Sequence, residues 1–163
     1  MNGLLNGFNE PFTTNTLTNK GGVAIFSKNP NASEREDLKM KNKEYERVWI
    51  EINNKGSKNT IIGCIYRHPH YNNIDLFSEY VNNCLTKIHK ENKEVYIAGD
   101  FNIDLLKYET KSKYRDFYNL MTSNGYLPLI TQPTRIRDST QTLIDNIFTN
   151  SFIDESHSGN ILT

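Results

Sequence analysis

Val95-Tyr-Ile-Ala-Gly-Asp-Phe-Asn102 decides how the rest of the chain is read. Glu94 to Ala98 is β-prone and largely apolar, the signature of a buried strand. The run then meets Gly99 and two polar side chains separated by Phe101. In an extended backbone residues i and i+2 point the same way, so Asp100 and Asn102 are expected to share one face while Phe101 enters the opposite layer. Gly99 leaves room for a close backbone approach. A carboxylate beside an amide suits phosphodiester hydrolysis. The carboxylate can bind or orient a hard cation and a water. The amide can orient the nucleophile or bind a phosphate oxygen. Taken alone, the same string reads more simply as the start of a loop.

Outward from this strand the pattern alternates. Upstream, Asp75 to His89 predicts a helix, with Leu76, Phe77, Tyr80, Val81, Cys84, Leu85 and Ile88 on one stripe and Asn73 or Asp75 as cap. Before it, Arg47 to Ile52 and Thr60 to Tyr66 are β-rich runs joined by Asn53-Asn-Lys-Gly-Ser57, a strand pair. Gly21 to Ser27 opens on two glycines and reads as a short buried strand. Residues 28–46 are charged and read as a solvated loop, and residues 1–20 as a loop-like lead-in. Downstream, Ser112 to Asn124 predicts a second helix, with Tyr114, Phe117, Tyr118 and Met121 on one face and Asn124-Gly125 as its stop. Tyr126 to Ile130 and Thr142 to Phe148 read as two more strands. The order implies an α/β layout with antiparallel pairing and helices covering sheets.

Bulk properties limit the partners. A chain of 163 residues suffices for one domain. Mean hydropathy is −0.65, low for a compact domain, but the aromatics fall in periodic segments that a disordered chain lacks. Lys plus Arg and Asp plus Glu number 19 each, so overall charge offers no argument for nucleic acid. A phosphate contact must come from a local patch or a metal ion. Cys64 and Cys84 lie in apolar segments and read as buried free thiols of a reducing compartment. No apolar run reaches membrane-span length, and Met1 to Gly7 has no signal-peptide character. An intracellular protein, cytoplasmic or nuclear and away from the membrane, is expected.

Three further segments carry polar groups suited to chemistry. In Thr142-Leu-Ile-Asp-Asn-Ile-Phe-Thr-Asn150, Asp145 interrupts an apolar strand, and a buried carboxylate needs a partner. An imidazole held as in a triad is one such partner, and local backbone donors are the other. In Cys64-Ile-Tyr-Arg-His-Pro-His70, Tyr66 and Arg67 could reach a phosphate. His68 and His70 lack the further ligands a zinc site needs, and loop histidines are more often exposed than ligating. Arg135 and Arg137, in Gln132-Pro-Thr-Arg-Ile-Arg137, could touch a DNA backbone or simply form a solvated turn.

Taken in order, GGVAIF, RVWIEI, TIIGCIYRHP, a helix, EVYIAGDFNIDL, a helix, QPTR and TLIDNIFTN resemble the endonuclease/exonuclease/phosphatase superfamily. The wording is most similar to the endonuclease domain at the front of non-LTR (jockey-like) retrotransposon polyproteins, and the similarity spans residues 21–163. The resemblance implies an α/β fold of two packed β-sheets flanked by helices, a four-layer sandwich. It implies a divalent metal, Mg2+ with Mn2+ as the alternative, hydrolysing one DNA phosphodiester. By the same resemblance Asp100 orients or activates the water and shares the metal, and Asn102 sits at the attacked phosphate. Tyr66 contacts the phosphate, and Asp145 holds a catalytic histidine. The implied partners are DNA and a reverse transcriptase domain in a longer polyprotein.

The sequence also departs from the family. The family places an asparagine strand and a Glu-Thr metal motif before the GGVAI strand, and a Ser-Asp-His motif at its close. Only 20 residues precede Gly21, and Glu10 stands in a different context. His157 comes too early to be the closing histidine. An incomplete domain without its metal glutamate and catalytic histidine, and so inactive, is therefore expected. A small-molecule phosphoesterase of the same superfamily and a non-catalytic DNA-binding remnant are the alternatives.

Overall fold

A computed structural model describes residues 6–14, 22–39, 45–71 and 73–151. The readings placed on His157 and residues 158–163 lie outside these. In chain order the elements are β1 (Phe12–Thr13), β2 (Ala24–Ile25), β3 (Ala32–Glu34), β4 (Tyr45–Ile52), β5 (Thr60–Arg67), α1 (Ile74–His89), β6 (Glu94–Asp100), α2 (Ser112–Ser123), β7 (Leu127–Pro128), β8 (Arg135–Arg137), β9 (Thr140–Thr142) and β10 (Asp145–Thr149). Short 3-10 turns occupy Glu36–Leu38 and Leu105–Lys107.

Six strands form one mixed sheet in the order β3-β4-β5-β6-β10-β7. β5 and β6 are parallel, and every other neighbouring pair is antiparallel. Parallel neighbours need a crossover, and α1 supplies it. Its start is fixed by Asn73, whose side chain accepts from Leu76 N at 3.0 Å. Asp75 lies in its first turn and Lys87 and His89 in its last, each matching the helix dipole. The buried stripe is Ile74, Phe77, Tyr80, Val81, Cys84, Leu85 and Ile88. Leu76, expected on that stripe, is exposed, and Ile74 takes its place.

Both helices cover the same face of the sheet. There Trp49, Ile61, Ile65, Val95, Ile97 and Phe148 meet α1 together with Phe117 and Met121 of α2. Phe77 stacks on Phe117 with centroids 5.7 Å apart, and Phe101 packs edge-on against Phe148 at 5.6 Å. Trp49 pairs in register with Gly63, and a Cβ there would come within 2.5 Å of the indole, so the glycine makes room for it. The indole Nε1 donates to Tyr80 Oη at 2.7 Å, and Tyr80 donates to Leu38 O at 3.1 Å.

Three expectations change. Residues 28–46 are not simply solvated: Leu38 is buried, and Arg35 bridges Asp37, Glu51 and Glu91. Phe12–Thr13, inside the supposed lead-in loop, pair with Ala24–Ile25. Thr142 belongs to the hairpin strand β9, so β10 begins only at Asp145. The α/β class holds. Among the described residues, β1 and β2 form a two-stranded sheet beside β4, where Thr14 Oγ1 donates to Glu46 Oε2 at 3.2 Å. Both cysteines are free, Cys84 buried and Cys64 half-buried. No helix among the described residues is long and apolar enough to cross a membrane.

Candidate active site

β5, β6 and β10 present one polar residue each at the same level. Tyr66 is the register partner of Asp100, and Asp100 is the partner of Asp145. Paired residues on neighbouring strands project from the same face, with backbones about 4.8 Å apart. Strand alternation fixes which face this is. Ile61, Gly63, Ile65 and Arg67 are buried toward the helices, so Tyr66 projects from the other side. The phenol and the two carboxylates therefore form a row across the helix-free face.

The row is anchored from behind. Phe101 N donates to Ile144 O at 2.9 Å, and Leu143 N donates to Asp104 Oδ1 at 3.0 Å. These bonds zip the loop after β6 to the segment before β10. Thr134 Oγ1 accepts from Asp145 N at 3.2 Å and so sets the start of that strand. Asn146, next to Asp145, is buried and exchanges side-chain hydrogen bonds with both main-chain groups of Ile130.

Burial raises the Asp100 carboxyl above its usual range. The Asn102 N–H opposes that rise, the neighbouring Asp145 charge adds to it, and Arg135 and Arg67 oppose it. The Asp145 charge adds to the cost of ionising Asp100, and an oxygen-preferring divalent cation would offset that repulsion. Asp100 and Asp145 thus offer carboxylate oxygens of the kind a hard divalent cation takes. No group of three His, Cys, Asp or Glu side chains able to hold a metal occurs among the described residues.

Other expected site residues are placed differently. β6 ends at Asp100, and Asn102 takes a φ of 50°, so the strict i, i+2 alternation expected for the pair does not apply. Asparagine tolerates this left-handed region better than most residues. Asn102 N donates to Asp100 Oδ1 at 3.0 Å, and its Nδ2 donates to Arg67 O at 2.7 Å. Its amide thereby lies between the ends of β5 and β6. Arg67, expected at a phosphate, is 5% exposed on the helix side. Its Nε donates to Phe101 O at 2.7 Å, Nη1 to Tyr71 O at 2.6 Å and Nη2 to Asn102 O at 2.6 Å. The guanidinium holds the two loops that leave β5 and β6.

Arg135 and Arg137 stand on β8 of an exposed hairpin rather than in an irregular loop. Asp138, with φ at 46°, makes its turn. Thr134, just before β8, accepts from Asp145 N, which ties the base of the hairpin to the end of the row.

Sequence reasoning missed one polar group. Glu46 is the register partner of Tyr66 and extends the row by one strand. Starting β4 at Arg47 left it out, although its alternation with Val48 and Ile50 was available as a signal. His68, expected to be exposed, is half-buried, with Nε2 3.3 Å from Glu46 Oε1. His70 is exposed.

The fold and the row define an α/β protein of the endonuclease/exonuclease/phosphatase type. Residues 60–161 match the family described as endonuclease-reverse transcriptase, and the chain belongs to that family. Among solved structures it is similar to the endonuclease domain of TRAS1, a telomere-specific non-LTR retrotransposon. The TM-score is 0.59 and the identity 18%, over 78% of this chain and 58% of that one. It is also similar to D. rerio TDP2 complexed with a single-strand DNA product, at TM-score 0.57 and 11% identity, over 90% of this chain and 64% of that one. These likenesses are to the fold, and the chain spans about three fifths of each structure's length. A search of curated proteins gives no match.

Proposed function

We propose that the chain belongs to a Mg2+-dependent DNA endonuclease domain of a retrotransposon polyprotein, one that also carries a reverse transcriptase. The observation that carries this reading is the register row of Tyr66, Asp100 and Asp145, drawn from three separated segments onto one face. In this reading the Tyr66 hydroxyl donates to a phosphate oxygen, and Asp100 orients the attacking water. Asn102 stands at the scissile phosphate, and Asp145 is available to fix an imidazole. Mg2+, with Mn2+ as a substitute, would share Asp100 and supply Lewis-acid stabilisation of phosphate charge. Arg135 and Arg137 on the exposed hairpin would meet the DNA backbone.

A second reading applies to the 163 residues taken by themselves, namely that they bind DNA and cut it poorly. It is favoured because no third metal-holding side chain joins Asp100 and Asp145 among the described residues. Glu46 is two strands from Asp100, roughly 10 Å by the usual strand spacing. Nicking of supercoiled plasmid with Mg2+ tests both readings. Slow or absent turnover with retained, salt-sensitive DNA binding supports them together. Robust nicking that Asp100→Ala abolishes overturns the poor-turnover reading. Hydrolysis of an inositol phosphate in the absence of any DNA binding overturns the endonuclease reading.

A further inference from the structure

Glu46 and His68 adjoin the row, and the endonuclease reading gives neither of them a task. Glu46 faces Tyr66 across the β4–β5 ladder. Its carboxylate is held from two sides: Thr14 Oγ1 donates to Oε2 at 3.2 Å, and His68 Nε2 lies 3.3 Å from Oε1. The two side chains are only 12% and 25% exposed, so neither swings freely in solvent. The imidazole then meets the Tyr66 ring edge to face, with centroids 4.7 Å apart and planes at 68°. It also meets Tyr71, with centroids 6.0 Å apart and planes at 70°. Arg67 Nη1 holds the Tyr71 main chain in turn.

From this chain of contacts we propose that Glu46 and His68 form a positioning pair for Tyr66. The pair fixes the phenol at the phosphate end of the row before substrate arrives. The inference rests on the proposed endonuclease reading for what Tyr66 contacts, and on the described geometry alone for how Tyr66 is held.

The physical case is one of ordering. Tyr66 stands on a half-open sheet face, where a phenol can leave its rotamer at little cost. An aromatic neighbour in edge-to-face contact narrows that choice, provided the neighbour is itself fixed. Imidazole orientation is set by what its nitrogens meet, and Glu46 Oε1 lies 3.3 Å from Nε2. Ordering a side chain in advance spares its immobilisation on binding, which corresponds to roughly 2- to 10-fold in affinity. The rival role for His68 is a direct phosphate contact through its other nitrogen, and the two roles differ in how mutations combine.

Fluorescence anisotropy of the full chain with a short labelled duplex, in EDTA, separates them. Tyr66→Phe and His68→Ala are expected to weaken binding by similar factors, roughly 2- to 10-fold. The double variant should be no weaker than either alone. Additive losses, or a His68→Ala variant of wild-type affinity, would each overturn the proposal.

A DNA-free arm reads the lock itself. The Tyr66 ring resonances should shift in both Glu46→Ala and His68→Ala, and unchanged resonances would overturn the lock. Glu46→Ala, which removes the acceptor and leaves both rings in place, serves if His68→Ala fails to unfold cooperatively. A wild-type chain that shows the lock but binds no duplex would refute the endonuclease reading and the phosphate-directed role together, with the lock standing as a structural contact only.

Discussion

Arg67→Ala should destabilise the fold by about 4 kcal/mol. Three charge-assisted bonds to carbonyls are lost, at 2.6 to 2.7 Å. At about 1.5–3 kcal/mol each their simple sum would be roughly 5–9 kcal/mol. Two effects reduce it. Burying the guanidinium carries its own dehydration cost, visible as a lowered Arg67 pKa. Tyr71 is exposed, so water can replace the bond to its carbonyl. The Phe101 carbonyl has no such relief beside a side chain that is 2% exposed. Arg67→Lys should recover only part of the loss, because a point donor cannot span three carbonyls that a planar fork reaches.

Urea unfolding followed by fluorescence checks this directly. The chain has a single tryptophan, Trp49, fully buried and bonded to Tyr80, so its emission reports the core. A loss below about 1 kcal/mol for Arg67→Ala would refute the clamp, since surface substitutions fall in that range. So would unchanged stability combined with weakened DNA binding, which would mean that the guanidinium serves substrate after all.

Three other outcomes follow from the same structure. Gly99→Ala places a Cβ 1.8 Å from Ile65 O and should cost about 3 kcal/mol or more by forcing β5 from β6; a wild-type urea midpoint would refute this. Tyr80→Phe removes the acceptor of the Trp49 Nε1 bond and the donor to Leu38 O, and should cost about 1–3 kcal/mol in the same assay. Asp100 has its folded-state pKa raised, chiefly by burial, so its ionisation opposes folding. Its contribution should therefore fall as pH rises from the ordinary aspartate value to the raised one and stay constant above. Asp100→Asn should thus gain stability at pH 7 and lose that advantage in acid; an equal effect at both pH values would refute it.

What the sequence made legible was what repeats. The helical stripe of α1 and the alternation in β5 are periodic, and both were readable to within a residue or two. What it hid depended on a single side chain acting at long range. Leu38 is one apolar residue in a charged run, yet it enters the core below Tyr80 and Cys84. Arg67 looked like a phosphate ligand because it follows Tyr66, but strand alternation sends the two to opposite faces. Family wording offers Tyr66, Asp100 and Asp145 as candidate site residues. Their arrangement as a row needed the pairing of β5, β6 and β10, which no local pattern states. Glu46 joined the row by the same pairing.

The Gly99–Asn102 string raised two readings, the opening of a loop and an active-site carboxylate, and the geometry makes them compatible. Asp100 closes β6 and its Oδ1 accepts from Asn102 N, which is loop chemistry. An ionised carboxylate has a second oxygen and further lone pairs, so the turn bond does not use up its capacity. The turn bond also holds the carboxylate at the level of Tyr66 and Asp145, because Asn102 is tied to the end of β5 through Arg67 O. The residue that ends the strand is thus the one whose charge faces the row, and the turn supplies the rigidity that a site on a strand end otherwise lacks. The two roles come apart by substitution. Asp100→Asn keeps an acceptor for the turn and removes the charge, whereas Asp100→Ala removes both. The difference in stability between the alanine and asparagine variants therefore measures the loop role, and a loss of duplex binding or nicking common to the two would measure the proposed site.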